Sequence, residues 1–266
     1  MSVSRIVCLS AESAETLVLL GRADRIVGVT GYAPRLPQLA GKPRVSGFSS
    51  AKIDRIVALE PDLVIAYSDV QADLAAALVR AGCNVLVTTQ RTVGQILDTV
   101  ELLGRISDAA AEARALRVEL QAGLEAVRRQ AGRLPRRPRV WFEEWMDPLV
   151  AGIGWVEELI EIAGGQTLFP ELRGRWRAQD RTVEPEEVVR RDPELILASW
   201  CGRRMRVETI LARPGWAETT AGRLGLIREI RSDHILQPGP AALREGLRLI
   251  ADAVAEAARA TVGANR

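Results

Sequence analysis

The fold is decided by a stretch that occurs twice, first as Asp54-Arg55-Ile56-Val57-Ala58-Leu59-Glu60-Pro61-Asp62-Leu63-Val64-Ile65-Ala66-Tyr67 and again as Glu186-Glu187-Val188-Val189-Arg190-Arg191-Asp192-Pro193-Glu194-Leu195-Ile196-Leu197-Ala198-Ser199. In each copy a helical pattern carries an acidic residue seven positions before a proline, and an apolar strand pattern follows the proline. Self-similarity of this kind predicts two related lobes.

Around the first copy, β-branched runs alternate with helical patterns, which is typical of parallel strands joined by crossover helices. The predicted strands cover residues 5–9, 26–30, 62–67 and 84–88. The predicted helices cover residues 12–21, 50–59, 71–81 and 92–103. This alternation predicts a doubly wound α/β lobe.

A long helical pattern separates the two copies. Ser107 is a suitable N-cap, leucines recur on one stripe, and Gly132 ends the helix. At about 1.5 Å per residue this helix is roughly 37 Å long, enough to reach from one lobe to another. We therefore predict an α/β protein with two Rossmann-like lobes of parallel sheet joined by a single long rigid helix. The predicted lobes are residues 1–104 and 135–266, with the connecting helix in residues 105–134.

The composition excludes several classes of protein. The 266 residues are 47% hydrophobic and 26% charged, which is typical of a globular chain and not of a disordered one. The formal net charge is only +2, so there is no electrostatic reason to expect a nucleic acid partner. The apolar runs are much shorter than the roughly 18–20 residues that a membrane-spanning helix needs, so we expect no such helix.

The residue types do not favour catalysis. His234 is the only histidine of the chain, whereas catalytic triads and zinc sites usually depend on imidazole groups. Glu143 and Glu144 are adjacent, so on a strand their side chains point to opposite faces and cannot act as an acid and base pair. The three cysteines show no metal-ligand spacing. We expect a protein that is not an enzyme and that needs neither a metal nor a cofactor.

Aromatic residues follow several predicted strands. Because the carboxyl ends of parallel strands meet at one edge, we expect these side chains to line a cleft between the lobes. Flat apolar walls of this kind suit a large, rigid, partly apolar ligand. Trp155 and Trp216 lie in helical apolar patterns and are expected in the core. The candidate lining residues are Tyr32, Phe48 and Tyr67 in the first lobe and Trp145, Trp176 and Trp200 in the second.

Arginines flank two of these tryptophans. Such residues can close on carboxylates or phosphates through paired hydrogen bonds. The alternative is an ordinary solvated loop, because lysine occurs only at Lys42 and Lys52 and arginine is the usual cation of this chain. The arginines are Arg173, Arg175, Arg177 and Arg181 around Trp176, and Arg203, Arg204 and Arg206 after Trp200.

With its two lobes, long helix and repeated motif, the chain resembles the substrate-binding proteins of ABC importers for vitamin B12, iron-siderophores and haem, from about Ser4 to about Ala258. Within that family it is most similar to the cobalamin-binding branch. The segments that carry this similarity are Phe142-Glu143-Glu144-Trp145, Gly154-Trp155-Val156-Glu157-Glu158-Leu159-Ile160-Glu161-Ile162-Ala163-Gly164-Gly165, Ser199-Trp200-Cys201-Gly202, Arg213-Pro214-Gly215-Trp216 and Leu236-Gln237-Pro238-Gly239-Pro240.

The resemblance implies roles for individual residues. It places Tyr32 and Phe48 where the vitamin B12 binders have aromatic contacts to the corrin, and Tyr67 at a similar strand end. It also implies that the turn at residues 237–239 brings Gln237 and Gly239 near the ligand.

Two acidic residues are implied to contact the transporter. In the family, acids on the outer rim of each lobe pair with arginines of the membrane permease, and Asp54 and Glu186 match those positions. Equal charges on two lobes would guide docking onto a symmetric permease dimer. The alternative is that both are ordinary first-turn acids stabilised by the helix dipole.

The resemblance implies a monomer that captures a small molecule, a cobalamin-like corrinoid, and delivers it to an ABC transporter permease dimer. The alternatives are a ferric siderophore or haem on the same scaffold, and an intracellular role as a corrinoid carrier or an enzyme subunit. The first residues lack the pattern of a secretion signal, which predicts a cytoplasmic protein if Met1 is the native start. The resemblance instead implies a periplasmic or extracytoplasmic location.

Overall fold

The computed structural model describes residues 3–263. The chain divides into two compact units. The first comprises the described residues up to Gln90 together with Gly94–Leu120, and the second comprises Arg91–Val93 together with the described residues from Gln121 onward. Each unit contains a sheet with parallel strand pairs and flanking helices, which confirms the predicted α/β class.

The first unit contains a five-stranded parallel sheet in the order β3-β2-β1-β4-β5. The order reverses beside β1, which is the position where open α/β sheets usually bind ligands, outside the carboxyl ends of their strands. The strands are β1 (Ile6–Cys8), β2 (Ile26–Thr30), β3 (Arg44–Ser46), β4 (Leu63–Tyr67) and β5 (Val85–Thr88). The helices that follow these strands are α1 (Ala11–Leu19), α2 (Ile53–Val57), α3 (Ala72–Arg80) and α4 (Val93–Ile106). Helix α5 (Ala110–Ala131) comes next, and it belongs to the first unit up to Leu120 and to the second unit from Gln121.

The core of the first unit explains why these segments form strands. Their apolar side chains pack against helices α2 and α3, and burying such side chains is the main favourable contribution to folding. The buried cluster consists of Val7, Leu9, Val45, Ile56, Val64, Ala66, Leu74 and Leu78.

No helix among residues 3–263 combines the length and the apolar character that crossing a membrane requires.

Two predictions for this unit were wrong. The prediction omitted strand β3, which has only three residues and lies at a sheet edge. Ser107 is not the N-cap of the long helix, because its hydroxyl is buried and donates a hydrogen bond of 2.7 Å to the carbonyl of Leu103. It therefore closes the end of α4. Asp108 then adopts a φ of 51°, which interrupts the helical path, and α5 begins at Ala110.

The second unit contains a mixed sheet in the order β10-β9-β6-β7, with β8 paired to β6. The strands are β6 (Arg139–Met146), β7 (Leu149–Ala151), β8 (Gln166–Thr167), β9 (Leu195–Ala198) and β10 (Ile227–Glu229). The helices are α6 (Gly154–Ile162), α7 (Pro185–Arg190), α8 (Val207–Leu211), α9 (Thr220–Leu224), α10 (Ser232–Ile235) and α11 (Leu247–Gly263), and one π-helical turn (Ala242–Gly246) leads into α11.

Strand β7 departs from the predicted parallel arrangement. It runs antiparallel to β6, because the two strands are joined only by Asp147 and Pro148, and so short a connection can join only antiparallel neighbours. Trp145 lies within β6, whereas the sequence pattern predicted that the candidate aromatic residues follow their strands. Trp155 and Trp216 are buried, which confirms that they belong to the core.

The repeated stretch folds in the same way in both units. Helix α2 leads into β4, and helix α7 leads into β9. The residue before the proline has a positive φ in both copies, 45° at Glu60 and 46° at Asp192. Because the left-handed region ends a helix, each copy turns from its helix into its strand at the same place.

Candidate ligand-binding site

Two aromatic side chains are exposed together at the carboxyl edge of the first sheet. Tyr32 follows β2, as the strand pattern predicts, and Phe48 follows β3, the strand that the sequence did not predict. Their ring centroids are 6.4 Å apart with an interplanar angle of 88°, an edge-to-face contact. Tyr32 is 55% exposed and Phe48 is 54% exposed, although large apolar side chains are usually buried. The pair therefore offers apolar surface that a ligand can cover.

A buried amide fixes the loops around this pair. The side chain of Gln71 is 4% exposed, and its Nε2 donates to the carbonyl oxygens of Phe48, at 2.7 Å, and Leu9, at 3.1 Å. Its Oε1 accepts a hydrogen bond of 2.9 Å from the backbone nitrogen of Tyr67. One side chain thus joins the ends of β1, β3 and β4. Sequence reasoning missed Gln71, because a polar residue at the start of a helix gives no signal of distant backbone partners.

Tyr32 and Tyr67 are held differently. Arg44 donates hydrogen bonds to the carbonyl oxygens of Gly31, at 2.7 Å, and Thr30, at 3.3 Å, and so supports the turn that carries Tyr32. Tyr67 is half-buried, and its hydroxyl donates to the carbonyl of Gln90 at 3.2 Å. Tyr32 therefore has more of its surface available to a ligand than Tyr67.

A buried carboxylate organises the corresponding edge of the second sheet. Glu143 in β6 is fully buried and accepts paired hydrogen bonds from the Arg213 guanidinium, at 2.6 and 2.9 Å. The indole nitrogens of Trp141 and Trp200 also donate to it, at 3.2 and 2.9 Å. These four donors satisfy a charge that would otherwise be costly to bury. Trp200 follows β9 as predicted, but this anchor leaves it only 4% exposed.

Trp200 forms part of a cavity of about 410 Å³ at the carboxyl ends of β9 and β10. Trp145 lies nearby and is half-buried, with its indole nitrogen donating to the carbonyl of Asp147 at 2.9 Å. The guanidinium carbon of Arg203 lies 5.7 Å from the centroid of the Trp145 ring, within the range of a cation–π contact. The residues that line the cavity are Trp200, Gly202, Arg203, Arg204, Glu229, Ile230, Arg231, Ser232 and Asp233.

The other candidates of the second unit have different environments. Trp176 lies in a loop and is 53% exposed. Gln237 is half-buried, and Gly239 is buried in a turn in which its nitrogen donates to the carbonyl of Gln237 at 2.8 Å. Trp176 therefore offers more side-chain surface than the turn does.

Arg181 does not belong with the exposed arginines around Trp176. It is 1% exposed, and its guanidinium donates to both carboxylate oxygens of Glu144, at 2.7 and 3.0 Å, and to the carbonyl of Ala151. It is therefore a buried structural cation and cannot close on a ligand anion. Arg173, Arg175 and Arg177 are exposed, and Arg173 pairs with Glu161.

Two buried glutamates have raised pKa values. Burial away from water raises the pKa of Glu12, in the first turn of α1, to about 7. Burial likewise raises the pKa of Glu157, in α6, to about 8, against the opposing effect of a hydrogen bond from the Thr167 side chain. Both lie near strand ends. No group of three or more metal-ligating side chains occurs among the described residues.

The two predicted docking acids lie in equivalent places. Asp54 is in the first turn of α2 and Glu186 in the first turn of α7, and both are exposed. Neighbouring Glu187 is paired with Arg190 and Arg191, whose hydrogen bonds lower its pKa to about 2. Neither Asp54 nor Glu186 forms an ion pair with any residue in the range 3–263. Both charges are therefore available to a partner.

Comparisons with known proteins agree with this architecture. The chain is 27% identical over 247 residues to a cobalamin-binding protein of Halobacterium salinarum strain R1, covering 89% of this chain and 65% of that protein. It thus spans just under two thirds of the length of that relative. It is 26% identical over 246 residues to a vitamin B12-binding protein of Vibrio parahaemolyticus, covering 91% of this chain and 86% of that protein.

A solved structure has the same fold as this chain. The apo form of the periplasmic haem-binding protein RhuT from Roseiflexus sp. RS-1 superposes with a TM-score of 0.83 at 23% identity, covering 97% of this chain and all of that one. The sequence profile of the family described as periplasmic binding protein matches residues 6–234. Because this match covers most of the chain, the protein belongs to the periplasmic binding protein family.

Proposed function

We propose that this protein is the substrate-binding component of an ABC importer and that its ligand is a cobalamin-type corrinoid. The support from relatives is the match over about nine tenths of the chain to proteins named cobalamin-binding and vitamin B12-binding. Sequence identity of 26–27% supports the class of ligand. The assignment of individual contacts to the corrin depends on the geometry of the aromatic side chains.

The observation that carries the proposal is the exposed edge-to-face pair of Tyr32 and Phe48. A corrin is a broad, rigid macrocycle with apolar surface, and covering aromatic rings with such a surface removes apolar area from water. Gln71 and Arg44 hold the backbone of both loops, so little ordering of the chain opposes binding. We propose Tyr32 and Phe48 as the principal corrin contacts of the first unit.

The remaining candidates are assigned secondary roles. Trp176 is the most exposed aromatic of the second unit, and we assign it a direct contact. Tyr67, Trp145 and Trp200 use their polar atoms within the protein, so we assign them apolar ring contacts only. The turn of Gln237 and Gly239 is proposed to approach the ligand through its backbone and amide.

Delivery to the transporter is proposed to depend on Asp54 and Glu186. Both are exposed acids without an ion pair in the described part of the chain, and they occupy the same position in the two copies of the repeat. We propose that they pair with basic residues of the permease and that the protein acts as an extracytoplasmic monomer without catalytic activity. Fractionation of the native host tests the location.

Titration of the purified protein with cyanocobalamin, followed by tryptophan fluorescence and calorimetry, tests the proposed function. We expect saturable one-to-one binding of micromolar or tighter affinity. Replacing both aromatic residues, Tyr32→Ala and Phe48→Ala, is expected to weaken binding about tenfold or more, since each loses buried apolar contact. Val118→Ala, at an exposed position in α5, is the control. Absence of binding by the unaltered protein would refute the corrinoid assignment.

The arginines beside Trp200 favour a second candidate ligand, an anionic siderophore or haem. Arg203 and Arg204 line the 410 Å³ cavity and can bind carboxylates through paired hydrogen bonds. Titration with haem, followed by absorbance, and with a ferric siderophore tests this candidate. Tight binding of either one, without binding of cyanocobalamin, would establish it in place of the corrinoid.

A further inference from the structure

Hydrogen bonds hold both ends of the loop beside the Trp200 cavity. The indole nitrogen of Trp200 donates to buried Glu143 at 2.9 Å, which fixes the start of the loop at residues 200–205. The backbone nitrogen of Met205 donates to a carboxylate oxygen of Glu229 at 2.9 Å, which fixes its end. Between them, the nitrogen of Arg203 donates to the carbonyl of Trp200 at 3.1 Å. Both ends of the loop are therefore held to the sheet.

A glycine shapes the turn that presents the arginines. Gly202 has a φ of 71°, in the left-handed region that side chains with a Cβ rarely adopt. The chain therefore reverses at Gly202, and both Arg203 and Arg204 line the cavity that follows. Because the backbone of these residues is set before a ligand arrives, little entropy is lost when the ligand binds.

The cavity carries unbalanced positive charge. Of its two carboxylates, Asp233 pairs with Arg231 at 2.6 Å, and Glu229 accepts a hydrogen bond from the Met205 amide and keeps its charge. Arg203 faces the Trp145 ring, and neither Arg203 nor Arg204 has a carboxylate partner within residues 3–263. Three guanidinium groups thus face two carboxylates. Unpaired guanidinium groups at a preformed cavity are suited to an oxyanion, which they bind through paired hydrogen bonds.

We propose that Arg203 and Arg204 bind the phosphodiester of the nucleotide loop of a cobalamin-type corrinoid. This inference rests on the proposed function and names the part of the ligand that the second unit recognises. The corrin side-chain amides are neutral, and the phosphodiester is the permanent anion of the molecule. The cavity is smaller than a whole corrinoid, so it takes only one part of the ligand.

A comparison of two corrinoids tests the inference. Dicyanocobinamide keeps the corrin ring but lacks the nucleotide loop and its phosphate. We expect the unaltered protein to bind cyanocobalamin about tenfold or more tightly than dicyanocobinamide, because charge-assisted hydrogen bonds to the phosphate are lost in the second ligand. Inorganic phosphate is expected to compete with cyanocobalamin and not with dicyanocobinamide.

Matched variants identify the residues responsible. Arg203→Gln and Arg204→Gln are each expected to weaken cyanocobalamin binding about tenfold and to leave dicyanocobinamide binding unchanged. The unchanged affinity for dicyanocobinamide also shows that the variants are folded. Arg206→Gln, at an exposed arginine outside the cavity lining, is expected to change neither affinity.

The two proposals fail in different ways. If the variants weaken both ligands equally, or weaken neither, the phosphate subsite is overturned while corrinoid binding stands. If the unaltered protein binds neither corrinoid, the proposed function fails and the subsite assignment fails with it.

Discussion

Arg5 and Arg139 make the same hydrogen bonds in the two units. Arg5 lies directly before β1, and its guanidinium donates to the carbonyl oxygens of Leu59, at 2.6 Å, and Glu60, at 3.0 Å. Arg139 begins β6, and its guanidinium donates to the carbonyl oxygens of Arg191, at 3.2 Å, and Asp192, at 2.7 and 2.9 Å. In each unit an arginine at the start of a central strand closes the end of the helix in the repeated stretch.

We therefore expect Arg139→Ala to lower the free energy of unfolding by about 1 kcal/mol, because several charge-assisted hydrogen bonds to helix-end carbonyls are lost at a partly exposed position. Urea denaturation followed by circular dichroism measures this change. Arg129→Ala, at an exposed position in α5, serves as the comparison and is expected to have little effect. Equal stability of the two variants would show that the helix end does not depend on Arg139.

The repeat was visible in the sequence because its pattern is local. Apolar runs, prolines and acidic residues at fixed spacing specify helix α2 with strand β4, and helix α7 with strand β9, without reference to distant residues. The two arginine contacts were not predictable in this way, since each guanidinium bonds backbone atoms more than fifty positions along the chain.

The same distinction explains the outcome for the candidate site. Tyr32 and Trp200 follow their strands as predicted, whereas Phe48 follows β3, which the sequence did not predict. Sequence position did not reveal that Arg181 is buried against Glu144 or that Trp200 is anchored to Glu143, which is 57 residues away. Tertiary packing determines which arginine of a run is buried. In a chain with many arginines, the sequence pattern does not distinguish the buried one from the exposed ones.

Removing the Gln71 amide should affect both stability and binding. In Gln71→Ala the buried carbonyl of Leu9, the carbonyl of Phe48 and the nitrogen of Tyr67 lose the hydrogen bonds of this side chain, and leaving buried groups unsatisfied costs about 1–3 kcal/mol. We expect a loss of about 2 kcal/mol in the free energy of unfolding and weaker binding of cyanocobalamin, measured by urea denaturation and calorimetry. Gln121→Ala, at an exposed site, is the matched control.

Breaking the buried ion pair between Glu143 and Arg213 in the second unit should strongly destabilise the protein. Glu143→Gln leaves the Arg213 guanidinium without its counter-charge, and loss of one partner from a buried pair typically costs about 3–5 kcal/mol. The fluorescence of Trp200 should change as well, since its indole nitrogen bonds the same carboxylate. Glu208→Gln, in the exposed first turn of α8, tests whether any loss of a glutamate charge has this effect.

Stability should depend on pH through Glu157. Burial raises its folded pKa to about 8, whereas an unfolded glutamate titrates near 4.5, so the folded protein holds the proton more tightly. Its contribution is complete below about pH 4.5 and is lost as the pH rises toward about 8. Glu157→Gln should therefore show a smaller fall in the free energy of unfolding between pH 5 and pH 8. Parallel curves for the variant and the unaltered protein would contradict this assignment.

Reversing the charge of Asp54 or Glu186 should impair delivery of the ligand to the permease without impairing ligand binding. Asp54→Arg and Glu186→Arg are each expected to reduce uptake of labelled cyanocobalamin by the native host several-fold, because like charges would then face each other at the permease. Binding of cyanocobalamin by the purified variants should be unchanged. Asp73→Arg in α3 and Glu208→Arg in α8 are exposed controls of the same charge change. Normal uptake by both docking variants would remove these residues from the proposed interface.

The side chain of Gln71 bonds main-chain atoms of Leu9, Phe48 and Tyr67, so these hydrogen bonds do not depend on which side chains those positions carry. Substitutions at Phe48 and Tyr67 can therefore alter what the surface recognises while the loops keep their places. Descendants of such a chain can acquire new ligands by changing single residues, without first having to evolve a new scaffold.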